Sequence, residues 1–128
     1  MADEQKTIIV VDDNNANLVA CKKVLKPYYA VYPVPSAAKM FELMEHVKPD
    51  LILLDVDMPD MNGYEAAGKL QQSDAFKDIP IIFLSGRDDS TSEMFGLNMG
   101  AKDYIHKPIV SELLLKRIEM QFSRNEQQ

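Results

Sequence analysis

The sequence predicts an α/β fold, a parallel sheet with helices on both faces. Three observations carry that expectation. Short apolar runs alternate strictly with longer stretches of helical periodicity, five times along the 128 residues. The runs lack polar alternation, as strands covered on both faces do. Asp, Ser and Lys residues able to do chemistry follow the runs, where open α/β sheets bind their ligands.

The first strand is expected at Thr7–Val11, whose Ile8-Ile9-Val10-Val11 is apolar throughout. Asn14–Leu25 then places Leu18, Cys21, Val24 and Leu25 on one helical stripe, and Pro27 ends it. Ala30–Val34 is a second strand that carries Pro33; proline cannot donate to a ladder, so this strand belongs at an edge or at a bulge. Ser36 is suited to cap a helix over Ala37–Val47, with Met40, Phe41, Met44 and Val47 on its apolar side. After Pro49, Asp50–Val56 is the third strand, with Leu51-Ile52-Leu53-Leu54 at its centre.

Pro59 and Gly63 mark Asp57–Gly63 as a loop, and Tyr64–Gln72 as the short helix after it. Ile79–Ser85 is the fourth strand, with Pro80 tolerated at its start. Asp89–Met99 is a helix closed by Gly100 in a left-handed cap. Lys102–His106 is the fifth strand, and Ser111 caps a last helix to about Phe122 with Leu114, Ile118 and Phe122 in register. Leu115 falls off that stripe and is expected to be a lone exposed leucine. Residues 1–128 are expected to form a single domain, with 123–128 a frayed tail or the start of a linker.

Bulk composition narrows the function. A net charge of −6 and a pI near 4.8 argue against nucleic-acid binding by this segment, since phosphate backbones reward clustered Lys and Arg. The apolar runs are too short to span a membrane, and the polar, acidic N-terminus does not read as a signal peptide. The one cysteine, Cys21, cannot pair within the chain, which suits a reducing cytoplasm; its place on a core stripe makes it a small buried hydrophobe. His46 is expected on the surface near a helix end, and His106 has no metal-ligand partner.

The candidate site lies at the carboxyl ends of the strands. Asp12 and Asp13 follow strand one, Asp55 closes strand three, Ser85 closes strand four and Lys107 follows strand five. Taken singly, each Asp reads as a turn or cap residue and Lys107 as part of a solvated loop. Their joint placement on one rim favours a shared pocket. Clustered carboxylates repel one another and call for a cation, and oxygen-only ligands suit a hard divalent ion such as Mg²⁺. Such a metal can position a phosphoryl group for attack by a carboxylate, with the Lys107 ammonium and the Ser85 hydroxyl on the phosphate oxygens.

Four stretches then resemble the signatures of response-regulator receiver domains. They are Val10-Val11-Asp12-Asp13-Asn14, Leu53 through Gly63 with its Asp-x-x-Met-Pro-x-Met-x-Gly pattern, Phe83-Leu84-Ser85-Gly86, and Gly100 through Pro108. They occur in the family's order over nearly the whole chain. The resemblance implies a flavodoxin-like, doubly wound sheet of strand order 2-1-3-4-5. It implies that Asp55 accepts the phosphoryl group, that Asp12, Asp13, Asp55 and the backbone carbonyl of Asp57 hold Mg²⁺, and that Ser85 and Lys107 bind phosphoryl oxygens. Tyr104 would be the switch aromatic, turning inward as Ser85 moves toward the phosphate, and Lys107–Pro108 would be a cis peptide. Asp57 and Arg87 occupy positions that vary in the family and bear on the lifetime of the phosphoryl group.

The implied activity is that of a signalling switch rather than an enzyme with its own substrate. A histidine kinase or histidine phosphotransfer protein would donate in a Mg²⁺-dependent reaction, and the helix 4–strand 5–helix 5 surface would control a downstream protein or a linked effector domain. A phosphorylation-dependent homodimer through that face stays open. Three alternatives are weaker. Asp55-Val56-Asp57 also resembles the nucleophile motif of haloacid-dehalogenase-type phosphohydrolases, but those chains place it near the N-terminus with paired acids downstream. A receiver-like module that no longer takes phosphate would lack Asp55 or Lys107. A nucleotide-binding flavodoxin-like protein would carry a glycine-rich loop after strand one.

The acidic Asp57 side chain beside the implied metal is expected to tighten Mg²⁺ binding. Asp57→Ala should therefore lower Mg²⁺ affinity in a calorimetric titration; an unchanged affinity would count against that role.

Overall fold

A computed structural model describes residues 5–86, 90–98 and 100–126. Arg87, and Asp89 and Met99 at the expected ends of the fourth helix, lie outside the described residues.

The elements follow in strict alternation: β1 (Thr7–Val11), α1 (Asn15–Leu25), β2 (Ala30–Val34), α2 (Ala37–Leu43), β3 (Leu51–Asp55), α3 (Gly63–Gln71), β4 (Ile81–Ser85), α4 (Ser90–Asn98), β5 (Asp103–His106) and α5 (Ser111–Glu126). The strands form one parallel five-stranded sheet of order β2-β1-β3-β4-β5, as expected. β1, β3 and β4 are interior, and nearly all their residues are buried.

Each interior strand shows one parity to each helical layer, because successive side chains leave a strand on opposite faces. Ile8, Val10, Leu51, Leu53, Ile82, Leu84 and Ile105 pack with Leu18, Cys21 and Leu25 of α1 and with Leu114, Ile118 and Phe122 of α5. Ile9, Val11, Ile52, Leu54, Ile81, Phe83 and Tyr104 pack with Ala37 and Met40 of α2 and with Ala66, Ala67 and Leu70 of α3. The unbroken apolar runs are thus two interleaved half-cores. β2 lies at an edge in continuous register from Thr7↔Ala30 to Val11↔Val34, so Pro33 is accommodated by edge position and not by a bulge.

Several boundaries differ from expectation. α2 ends at Leu43 rather than near Val47. The amides of Glu45 and His46 bond three residues back, to Glu42 and Leu43, so the last turn tightens as the chain leaves toward Pro49. α5 continues past Phe122 to Glu126, and Ser111 is its first helical residue. Leu115 is half-buried against the α1–α5 half-core instead of exposed. The turn after α1 brings Tyr29 beside α5, where its ring lies 5.5 Å from that of Phe122, and Leu115 borders the same hollow with Tyr28 and Glu119. Gly100 has φ +98°, as the expected left-handed cap requires.

Because Leu53 is fully buried on the α1–α5 side of the central strand, Leu53→Ala should destabilise the chain by about 2–5 kcal/mol in denaturant unfolding. A loss near zero would contradict the assigned half-core.

Candidate functional site

The parallel sheet delivers its strand ends to one rim. β1 and β3 are neighbours, so Asp12, one residue past β1, and Asp55, the last of β3, meet there. Both are buried. β5 brings Lys107 to the same place, and the Lys107 amide donates to the Ser85 carbonyl at 2.7 Å. The Lys107 ammonium lies 2.9 Å from Asp12 Oδ2 and 3.0 Å from Asp55 Oδ1. Asp12, Asp13 and Asp55 each present a carboxylate oxygen within 4.8 Å of the others.

Local hydrogen bonds orient the two buried acids. Asp12 Oδ1 accepts from the Asn14 amide at 2.9 Å, just before Asn14 caps α1 through the Asn17 amide. Asp55 Oδ1 lies 3.4 Å from the Asp57 amide, a long contact. The turn after Asp55 folds back so that the Gly63 amide donates to the Val56 carbonyl at 2.9 Å. A β-carbon on Gly63 would collide with the Asp55 carbonyl, so only glycine lets the start of α3 sit this close to β3.

The electrostatics are those of buried like charges held by one cation. Burial pushes the Asp55 carboxyl up to about 7; the hydrogen bond from Lys107 opposes this, and the Asp12 charge adds to it. Burial acts to lower the Lys107 ammonium, but its contacts with Asp12 and Asp55 outweigh that and raise it, so it stays charged. The Cys21 thiol is pushed up to about 11, first by burial and then by the Asp12 charge, which fits an unreactive core thiol.

These residues fit a hard divalent cation. The donor atoms are all oxygens, and Asp12 Oδ2 is buried beside Lys107 without an aligned hydrogen bond from any described donor. Asp57 is exposed on the rim.

Ser85 is fully buried at the end of β4, paired in register with His106. Tyr104 is also buried, with its ring 6.2 Å from Phe83, so this structure holds the inward arrangement of that aromatic. His46 is exposed. His106 has its ring 5.3 Å from Tyr104. The Lys107–Pro108 bond is cis, as expected.

Two contacts were not legible in the sequence. Arg117 on α5 bonds Asp103 Oδ1 at 2.6 Å, and the same oxygen accepts from the Tyr104 amide at 2.8 Å, pinning the start of β5. Tyr64, the residue after Gly63, places its hydroxyl 3.3 Å from that of Tyr104. The only sequence signal for Tyr64 was its position directly after the Asp55–Gly63 stretch.

The family model described as the response regulator receiver domain matches residues 8–119. The chain belongs to that family, a regulatory one whose members receive signals from histidine kinases and act on downstream effectors. Among curated relatives it is similar to Protein PilH of Pseudomonas aeruginosa, 31% identical over 112 residues that make up 87% of this chain and 93% of that protein. It is also 35% identical over 114 residues to a probable cyclic di-GMP phosphodiesterase of Vibrio cholerae; these cover 89% of this chain but only 26% of that protein. The CheY-like receiver domain protein of Methanospirillum hungatei superposes with a TM-score of 0.88 at 30% identity, covering 97% of this chain and 98% of the other. No helix among the described residues is long and apolar enough to cross a membrane.

The raised Asp55 carboxyl fixes the sign of a pH effect. In the folded, metal-free state it holds its proton more tightly than an ordinary aspartate, which titrates near 3.8, so its contribution to stability falls as pH rises from about 4 to about 7. Asp55→Asn should therefore melt higher than the parent in chelator at about pH 8, by a gap that closes toward about pH 4. A gap independent of pH would contradict the buried, raised carboxyl.

Proposed function

We propose that the rim is a phosphoryl-accepting pocket in which Asp55 is the nucleophile. The observation that carries this reading is the Lys107 ammonium within 3.0 Å of both Asp55 and Asp12, on a rim shared with Asp13. A purely structural ion pair needs one buried carboxylate, whereas a phosphate pocket needs the excess acid for a metal and the ammonium for phosphate oxygens.

In this reading one Asp55 oxygen attacks the phosphorus of a phosphohistidine on a histidine kinase or phosphotransfer protein. The bond from phosphorus to the imidazole nitrogen breaks, and the nitrogen leaves with its electron pair. Bound Mg²⁺ would be held by Asp12, Asp13, Asp55 and the Asp57 carbonyl, and would supply the charge that offsets the phosphoryl oxygens. Lys107 exchanges its contact with the Asp55 carboxylate for one with a phosphoryl oxygen, and the Ser85 hydroxyl donates to another.

The new group adds charge and strong acceptors at the ends of β4 and β5. Ser85 and Lys107 follow it, and Tyr104 occupies the inward position as the α4–β5–α5 surface shifts in population. That surface then acts on a downstream protein or a linked effector domain in the cytoplasm.

Incubation with acetyl phosphate and Mg²⁺, followed by intact-mass analysis, tests the reading. The parent should gain one phosphoryl group, chelator should prevent it, and Asp55→Asn should reduce it by at least about a hundredfold, because this reading makes the Asp55 carboxylate the nucleophile. Undiminished labelling of Asp55→Asn would refute the assignment.

A further inference from the structure

The aromatic contacts beside the rim carry an inference that rests on reading Asp55 as the phosphoacceptor and Tyr104 as the switch. Tyr104 is buried between β4 and α4. Gly96 of α4 lies so close that a β-carbon there would press on the rings of both Tyr104 and Phe83. In this slot the Tyr104 side chain is almost wholly buried, and a hydroxyl shielded from water is costly unless it finds a partner. The partner is Tyr64, whose hydroxyl lies 3.3 Å away; either oxygen can donate.

Tyr64 is itself well placed to hold still. Its ring makes edge contacts with Phe83 at 5.0 Å and with Phe95 of α4 at 4.8 Å between centroids. It also follows Gly63 directly, whose amide donates to the Val56 carbonyl and which leaves no room for a β-carbon beside the Asp55 carbonyl. One side chain therefore touches the β4 core, α4 and the switch aromatic, while its backbone is fixed to the end of the phosphoacceptor strand.

We propose that Tyr64 is a positioning residue whose hydroxyl holds Tyr104 inward, linking the loop after Asp55 to the β4–β5 wall. Outward, Tyr104 regains water; inward, its hydroxyl depends on Tyr64. The hydroxyl pair thus biases the free chain toward the arrangement that accepts and retains a phosphoryl group. The separation of 3.3 Å is long for a hydroxyl pair, so the bias is modest, about two- to fivefold in population.

The sign of the effect separates this role from simple packing. Tyr64→Phe keeps the ring and leaves the Tyr104 hydroxyl buried without that partner, which favours the outward position. Adding Tyr104→Phe removes the stranded hydroxyl, so the inward position recovers. Full-length protein carrying ring-¹³C tyrosine reports the first step through the Tyr104 resonances, assigned by their loss in Tyr104→Phe. The rate of Mg²⁺-dependent labelling by acetyl phosphate reports both.

Tyr64→Phe should shift the Tyr104 resonances, weaken their cross-relaxation to Phe83 and slow labelling about two- to fivefold. The Tyr64→Phe/Tyr104→Phe double variant should label faster than Tyr64→Phe alone. Unchanged Tyr104 resonances in Tyr64→Phe, or a double variant no faster than the single, would overturn the proposal. Absence of labelling in the parent would instead strike the phosphoacceptor reading, and the Tyr104 resonances would still decide the hydroxyl pair.

Discussion

The rest of the rim depends on one ammonium group between two buried carboxylates. Lys107 approaches Asp12 and Asp55 from the end of β5, two strands away from β3 and three from β1 in the sheet order. Two acids buried side by side repel each other, and one cation cannot neutralise both. Asp13, at the lip of the same cluster, adds further negative charge. The pocket is therefore short of positive charge by construction. That deficit is what makes a divalent cation fit there, and it makes the position of Lys107 sensitive to any new charge on Asp55.

The sheet is what makes this geometry reproducible. Parallel strands place all their carboxyl ends on one side, so residues far apart in sequence become neighbours without long excursions of the chain. Both faces of β1, β3 and β4 are packed, which fixes the strand ends against sliding or tilting. The loops are then free to specialise. Gly63 lets α3 start against the Asp55 carbonyl, and Arg117 ties the start of β5 to α5 through Asp103. The second of these ties reaches toward the surface expected to read out the switch.

Much of the architecture was legible in the sequence because its signals are local. Unbroken runs such as Leu51-Ile52-Leu53-Leu54 announce a strand covered on both faces, and Pro33 announced an edge or a bulge, of which the structure has the edge. Asp12, Asp55 and Lys107 were identifiable because each directly follows or ends such a run, and the sheet rule converts that position into proximity. The features that escaped depend on which elements touch. Leu115 lies off the stripe of α5, yet the turn carrying Tyr29 comes over to meet it. The Tyr64–Tyr104 and Arg117–Asp103 contacts join side chains from different elements, and no periodicity encodes such pairs. The end of α2 was misjudged because Met44 stays on the apolar stripe after the helix has tightened into a turn.

The most direct test of the central claim is to locate the phosphoryl group chemically. An acyl phosphate is reduced by borohydride, which converts a phosphorylated aspartate into homoserine. After acetyl phosphate treatment with Mg²⁺ and reduction, peptide sequencing by mass spectrometry should find homoserine at position 55 and at no other aspartate. Homoserine at position 12, 13 or 57, or a yield indifferent to Mg²⁺, would contradict a pocket built from Asp12, Asp13 and Lys107 around Asp55.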